Sequence, residues 1–230
     1  MYAINHAATA LLIKKKAPTL SMVALLVAVQ LIEILWVLFN YFGWEHYTIS
    51  NGNLHLDFLP YSHSVFSVLV CAFIAFAIIN CGYKNRKLAI AFSIGVLSHI
   101  VIDLIFHEMD IRLSPFTQTP VWGFGIIQHA WLNFSLEFIY GIFCWWYFKG
   151  SKALLSVIVL FNFTDLPMML AHGNILKPFE QYPFILPSVI LFQIIITWYF
   201  VYRFSKPRKK IKTKKEDSAK LTVNQMDLVK

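Results

Sequence analysis

Two ionisable residues four positions apart, His99 and Asp103, lie inside the apolar run from Leu88 to Phe106. A spacing of four puts both side chains on one face of a helix. An Asp at the centre of a membrane-crossing helix costs about 2.5–3.5 kcal/mol on insertion scales, so such a group faces a partner, a cavity or a metal rather than lipid. At about 100° per residue, His107 and Asp110 fall within roughly 80° of the same stripe. Imidazole nitrogens and carboxylate oxygens are ready ligands for zinc and similar cations. This stripe is therefore the first candidate site.

Other polar residues interrupt the apolar runs. Glu33 lies near the middle of the first run, with Gln30 on its face three residues earlier. His63 opens the second within Pro60-Tyr61-Ser62-His63-Ser64, where the proline favours a helix start. His129, Asn133 and Glu137 form a second stripe at spacings of four, and Asn162 and Asp165 precede Pro167, with His172 beyond. Each has a plain packing role as its alternative. Glu33 as a protonated acid can hydrogen-bond a neighbouring helix, and the His129 stripe reads as interhelical glue or substrate-side lining rather than as a second metal centre.

The elements that must carry these residues follow from composition. Of 230 residues, 58% are hydrophobic and only 14% charged, more apolar surface than one soluble core hides. The expected fold is an all-α, polytopic membrane helical bundle. Six runs approach the roughly 20 residues that cross a bilayer: Leu20 to Gly43, His63 to Cys81, Leu88 to Phe106, Ile126 to Phe148, Ala153 to Ala171 and Pro183 to Phe204. Met1 to Ile13 is too short to cross and reads as an interfacial or re-entrant helix.

Lys14 to Lys16, then Lys84, Arg86 and Lys87, then Lys149 and Lys152, then the tail from Lys206 fall at alternate connections. By the positive-inside rule both termini are cytoplasmic. The membrane domain covers residues 1–205. The basic tail, 206–230, reads as a disordered cytoplasmic segment drawn to anionic lipid rather than to nucleic acid. Membrane lipids are thus the expected partners. Cys71, Cys81 and Cys144 form no CxxC knuckle or disulfide framework, and no repeat, Walker loop or GxGxxG motif occurs.

The order of motifs carries a family likeness. His6 in Asn5-His6-Ala7, the acid at Glu33, Tyr61-Ser62-His63-Ser64, Gly95 to Asp103 with its Gly-x-x-x-His-x-x-x-Asp spacing, and Ser114-Pro115-Phe116 cover about half the chain. In this order they resemble the YdjM-type family of bacterial inner-membrane metal-dependent hydrolases. Where that family usually reads Pro-Asp-Ile-Asp, this chain has Gln30-Leu31-Ile32-Glu33. The resemblance implies a bacterial inner-membrane enzyme using a metal, and carries His6, Glu33, His63, His99 and Asp103 across as candidates.

The expected centre is then one divalent ion, zinc first and manganese or iron next, with His63, His99 and Asp103 as ligands and His6 as a further candidate. Glu33 is the expected general base. His107, Glu108 and Asp110 are expected at the outer mouth as partners of those ligands or as substrate contacts. A lipid or lipid-linked ester fits a site in the outer half of the bilayer. Helix lengths put Glu33, His99 and Asp103 at similar depth and leave His6 about 12 Å deep, the poorest fit. No His-Glu-x-x-His or Gly-x-Ser-x-Gly motif offers another hydrolase chemistry. A proton or metal-ion transporter and a non-catalytic scaffold are the alternatives from other classes.

Overall fold

A computed structural model of the protein describes residues 1–50, 53–171 and 176–205. His172 and the basic tail lie outside the described residues. The chain runs α1 (Ala3–Lys16), α2 (Met22–Tyr41), an antiparallel hairpin β1 (His46–Ser50) and β2 (Asn53–Phe58), α3 (Val65–Gly82) and α4 (Arg86–Phe106). A two-residue ribbon β3 (Ile111–Arg112) and β4 (Val121–Trp122) and a 3-10 turn (Ile126–Gln128) lead to α5 (Ala130–Phe148). Then come α6 (Lys152–Met169), α7 (Lys177–Gln181) and α8 (Ile185–Phe204).

This is an all-α membrane bundle. Among the described residues five helices, α2, α3, α4, α6 and α8, are long and apolar enough to cross a bilayer, and the protein is membrane-embedded and multi-pass. The fourth expected run forms α5, a shorter helix than expected because the chain from Ile126 to Gln128 is a 3-10 turn. Asn133, Glu137 and several Trp and Tyr residues lower its apolarity. Large apolar side chains face outward where lipid would lie, including Phe73 and Ile78 on α3 and Phe192 and Ile195 on α8.

Local signals set the ends. The Ser64 side chain accepts from the Ser67 amide at 3.2 Å and starts α3, two residues later than the expected His63. Asn85 caps α4 through the Leu88 amide at 3.0 Å, and Ser151 caps α6 through Leu154 at 3.1 Å. At its other end α4 stops at Phe106 because His107 is extended. The ribbon loop folds over this end, with Phe124 N donating to Leu104 O at 3.0 Å and Gly125 N to His107 O at 2.7 Å. Gly123 (φ +146°) permits the approach, since a Cβ there would stand 1.9 Å from Glu108 O.

The short first helix corrects one of its two readings. It does not lie on the surface of the bundle: α1 is packed in the middle, against α2, α4, α5, α6 and α8. Residues Ile4 to Leu11 are buried. Lys14, Lys15 and Lys16 end it, and 14 residues rise only about 21 Å, so its N-terminal turn lies at mid-depth. Ala3, Ala7, Ala8 and Ala10 let the neighbouring backbones come close.

Close approach also governs the α2–α4 pair that carries the site. A Cβ on Gly95 would stand 2.7 Å from the Ala28 Cβ. Gly95→Ala is expected to lower stability by about 1–3 kcal/mol, read as a lower thermal unfolding midpoint in detergent. Adding Ala28→Gly should return most of the loss.

Candidate metal centre

Helix α4 supplies His99 and Asp103, both fully buried, one turn apart and facing α2 and α1. His99 Nε2 lies 2.9 Å from Asp103 Oδ2. From α2, Glu33 brings Oε1 to 3.8 Å from His99 Nε2. His63, on the turn before α3, brings Nε2 to 3.4 Å from His99 Nε2, 3.7 Å from Asp103 Oδ2 and 4.0 Å from Glu33 Oε1. From α1, the His6 ring stacks on His99 with centroids 4.1 Å apart, its Nε2 3.6 Å from Asp103 Oδ1. Two overlapping triads result, His63 with His99 and Asp103, and His6 with Glu33 and His99, each offering ligand atoms within 4.8 Å of one another.

The outer partners of the two histidines decide which nitrogen carries the proton. His99 Nδ1 lies 3.1 Å from the Val29 carbonyl, which can only accept, so Nδ1–H donates. Ser62 Oγ donates to Glu45 Oε2 at 2.6 Å, which leaves it to accept from His63 Nδ1–H at 2.7 Å. With both Nδ1 atoms so occupied, the two Nε2 atoms face inward, towards each other and towards the Asp103 carboxylate, where a shared proton or a metal ion fits between them. Ligating histidines are held in this way by a carbonyl or a polar side chain on the far nitrogen.

The donor set fits a cation. Ligand atoms on a tetrahedron with bonds of about 2.0–2.1 Å are about 3.3–3.4 Å apart. The observed separations of 2.9, 3.4 and 3.7 Å bracket that value. His6 Nε2 and Asp103 Oδ1 are buried with no hydrogen-bond partner. Among the described residues no Lys or Arg pairs with Glu33 or Asp103; the cation nearest Asp103 is the Met1 α-amino group, 3.8 Å from Oδ1.

The remaining candidates fall outside this cluster in different ways. His107 is buried with its ring 5.7 Å from that of His63, but it pairs with Asp110 (Nδ1 to Oδ1, 3.3 Å). Because α4 ends at Phe106, His107 and Asp110 do not continue its stripe. Glu108 turns to His55 at 3.4 Å. The second stripe is broken at its start: His129 is exposed ahead of α5, whereas Asn133 and Glu137 are buried. Glu137 Oε2 accepts from the Tyr2 amide at 2.9 Å and Asn5 Nδ2 at 2.8 Å, so this carboxylate holds α1.

A cavity of about 410 Å³ opens beside the cluster. Glu33, His63 and His107 form its polar wall, and Trp36, Leu59, Leu186, Ile190 and Ile194 part of its apolar one. A second space of about 370 Å³ adjoins it at Tyr2 and His107 and is lined by His55, Glu108, Asp110 and Gln128.

Sequence reasoning missed Glu45 and Ser62. Ser62 was legible only as the neighbour of His63. Glu45 carried no signal, because the hairpin between them decides that its Oε1 accepts the Tyr61 and Ser62 amides at 2.7 and 2.8 Å. Compared with known proteins, the chain matches no family model, no curated protein and no solved structure.

Burial pushes the Glu45 carboxyl up to about 7, against three hydrogen bonds that pull it down. An acid whose pKa rises on folding holds its proton more tightly in the native state. Its contribution to stability is then largest below the ordinary value of 4.5 and is lost as pH rises to about 7. Against Glu45→Gln, the wild-type unfolding midpoint should therefore fall as pH is raised through that window and run parallel above it. A difference that stays flat would contradict this assignment.

Proposed function

We propose that this protein is a membrane-embedded hydrolase that uses one divalent metal ion, held by His63, His99 and Asp103, and acts on a lipid or lipid-linked ester. The observation that carries this reading is the convergence of two inward Nε2 atoms, each backed at Nδ1 by its own partner, on a buried carboxylate, an arrangement suited to a shared cation. Nitrogen and oxygen ligands favour zinc, with manganese or iron as alternatives. The resemblance to YdjM-type hydrolases supports the same five residues, His6 and Glu33 included. His6 would complete the ligand set or orient His99 by stacking.

Bound there, such an ion supplies a water acidified towards a pKa of about 7 and polarises the ester oxygen. The chain's own residues do the rest. Glu33 lines the cavity, 16% exposed, where it can accept the proton of the attacking water. The water oxygen bonds to the acyl carbon or phosphorus, the ester bond to the alcohol breaks, and Glu33 returns its proton to the leaving oxygen. The apolar wall of the cavity takes the hydrocarbon part, and the polar space beyond His107 takes the head group. The clustering of lysines and arginines at one end of the bundle supports cytoplasmic termini in a bacterial inner membrane and a site opening towards the outer side. The tail beyond Ser205 would then meet anionic lipid at the cytoplasmic face.

Elemental mass spectrometry on detergent-purified protein tests the centre. Wild type should carry about one equivalent of metal, and His99→Ala and Asp103→Ala, shown to be folded, should carry none. No metal in any sample after reloading would overturn the reading and leave a buried proton as the shared cation, as in a transporter. Glu33→Gln should keep the metal and lose about 10²–10⁴-fold in ester turnover.

A further inference from the structure

Outside the cluster, one buried chain of hydrogen bonds has no part in the chemistry above. Glu45 and Ser62 are 1% and 0% exposed. Glu45 Oε1 accepts two backbone amides, Tyr61 N at 2.7 Å and Ser62 N at 2.8 Å, so that oxygen is committed. Oε2 takes the single proton of Ser62 Oγ at 2.6 Å. With its proton spent on Glu45, the hydroxyl can only accept from His63 Nδ1 at 2.7 Å. With Glu45 ionised, every member of the chain has one direction, and the direction is set at Glu45.

We propose that Glu45 and Ser62 are positioning residues that lock His63 in the Nδ1–H tautomer and so hold its Nε2 lone pair ready for a metal ion. The proposal rests on the reading of His63 as a ligand, but its direct observable, the tautomer, does not require metal. Neither residue touches substrate or the reacting atoms. They act through His63.

Glu45→Gln is the discriminating change because it keeps shape and reverses direction. The amide oxygen must stay on the two backbone N–H groups, which turns the NH₂ towards Ser62 Oγ. Ser62 then accepts from the amide and donates to His63 Nδ1, and the ring proton moves to Nε2, where it blocks ligation. Ser62→Ala removes the link with the loss of a single oxygen.

Nitrogen NMR on ¹⁵N-histidine-labelled, metal-free protein in detergent at about pH 8, where free imidazole is neutral, should show His63 as Nδ1–H in wild type and as Nε2–H in Glu45→Gln. Zinc affinity should fall about 10–100-fold in Glu45→Gln and in Ser62→Ala. The double variant should bind no more weakly than Ser62→Ala alone, because the effect of Glu45 travels through that hydroxyl. An unchanged tautomer in Glu45→Gln, or additive losses in the double variant, would overturn the proposal. If Glu45→Gln does not fold, Ser62→Ala reads the same point, and retention of a full Nδ1–H signal in it overturns the lock. A tautomer that switches in a protein binding no zinc upholds the lock and removes the metal-hydrolase reading. Zinc binding with a tautomer indifferent to Glu45 removes the lock alone.

Discussion

A helix that ends inside a membrane protein exposes amides and carbonyls where no bulk water can satisfy them. The N-terminal turn of α1 is such an end, and the surrounding bundle is built to meet it. Glu137 of α5 takes the Tyr2 amide, Gln30 of α2 donates to the Ala3 carbonyl at 2.8 Å, and Trp198 of α8 donates to Gln30. Asn5 joins α5 to α6 by donating to Glu137 and, at 2.9 Å, to Asn162. These bonds fix the depth and rotation of α1, and with them the place of His6 against His99. Without α1, the middle of the bundle would be an open polar hole.

The same constraint explains why the polar residues divide into two groups with different uses. Around α1, donors meet acceptors in Glu137 with Tyr2 and Asn5, and in Thr9 with Tyr140 at 2.8 Å, while Glu137 Oε1 and the Asn133 amide are buried with no hydrogen-bond partner. That matching is what helix-to-helix glue requires. Around His99, two imidazole Nε2 atoms and a carboxylate face one another, and Asp103 Oδ1 and His6 Nε2 are buried with no hydrogen-bond partner. Buried groups of this kind are retained against their cost in stability.

Position in the membrane also shapes access. The five long helices present large apolar side chains outward, so the outer surface is committed to lipid. The cluster instead borders a cavity between α2, α6 and α8, roofed by the β1–β2 hairpin through Leu54 and by Phe179 of α7. The way into it runs between polar residues of the connections and apolar residues of the helices.

Much of this was legible in the chain before folding, and the reasons differ by residue. Long apolar runs dictate membrane helices because the hydrophobic term acts residue by residue, so the bundle and its main spans could be read directly. His99 and Asp103 were legible for the same local reason, since a helical spacing of four needs no tertiary information. His6, Glu33, His63, His99 and Asp103 converge in the structure, but the order of motifs along a chain fixes no distance between them. Tertiary structure alone decided the rest. Helix length says how far a segment reaches but not where it is inserted, so α1 became central rather than interfacial and His6 joined the cluster. A helical stripe continues only as far as the helix, so the end of α4 at Phe106 removed Asp110 from it. The partners of an imidazole's far nitrogen lie wherever the backbone turns back. The Val29 carbonyl and Glu45 therefore left no spacing to find, because hydrogen bonds across a fold depend on distance in space and not along the chain.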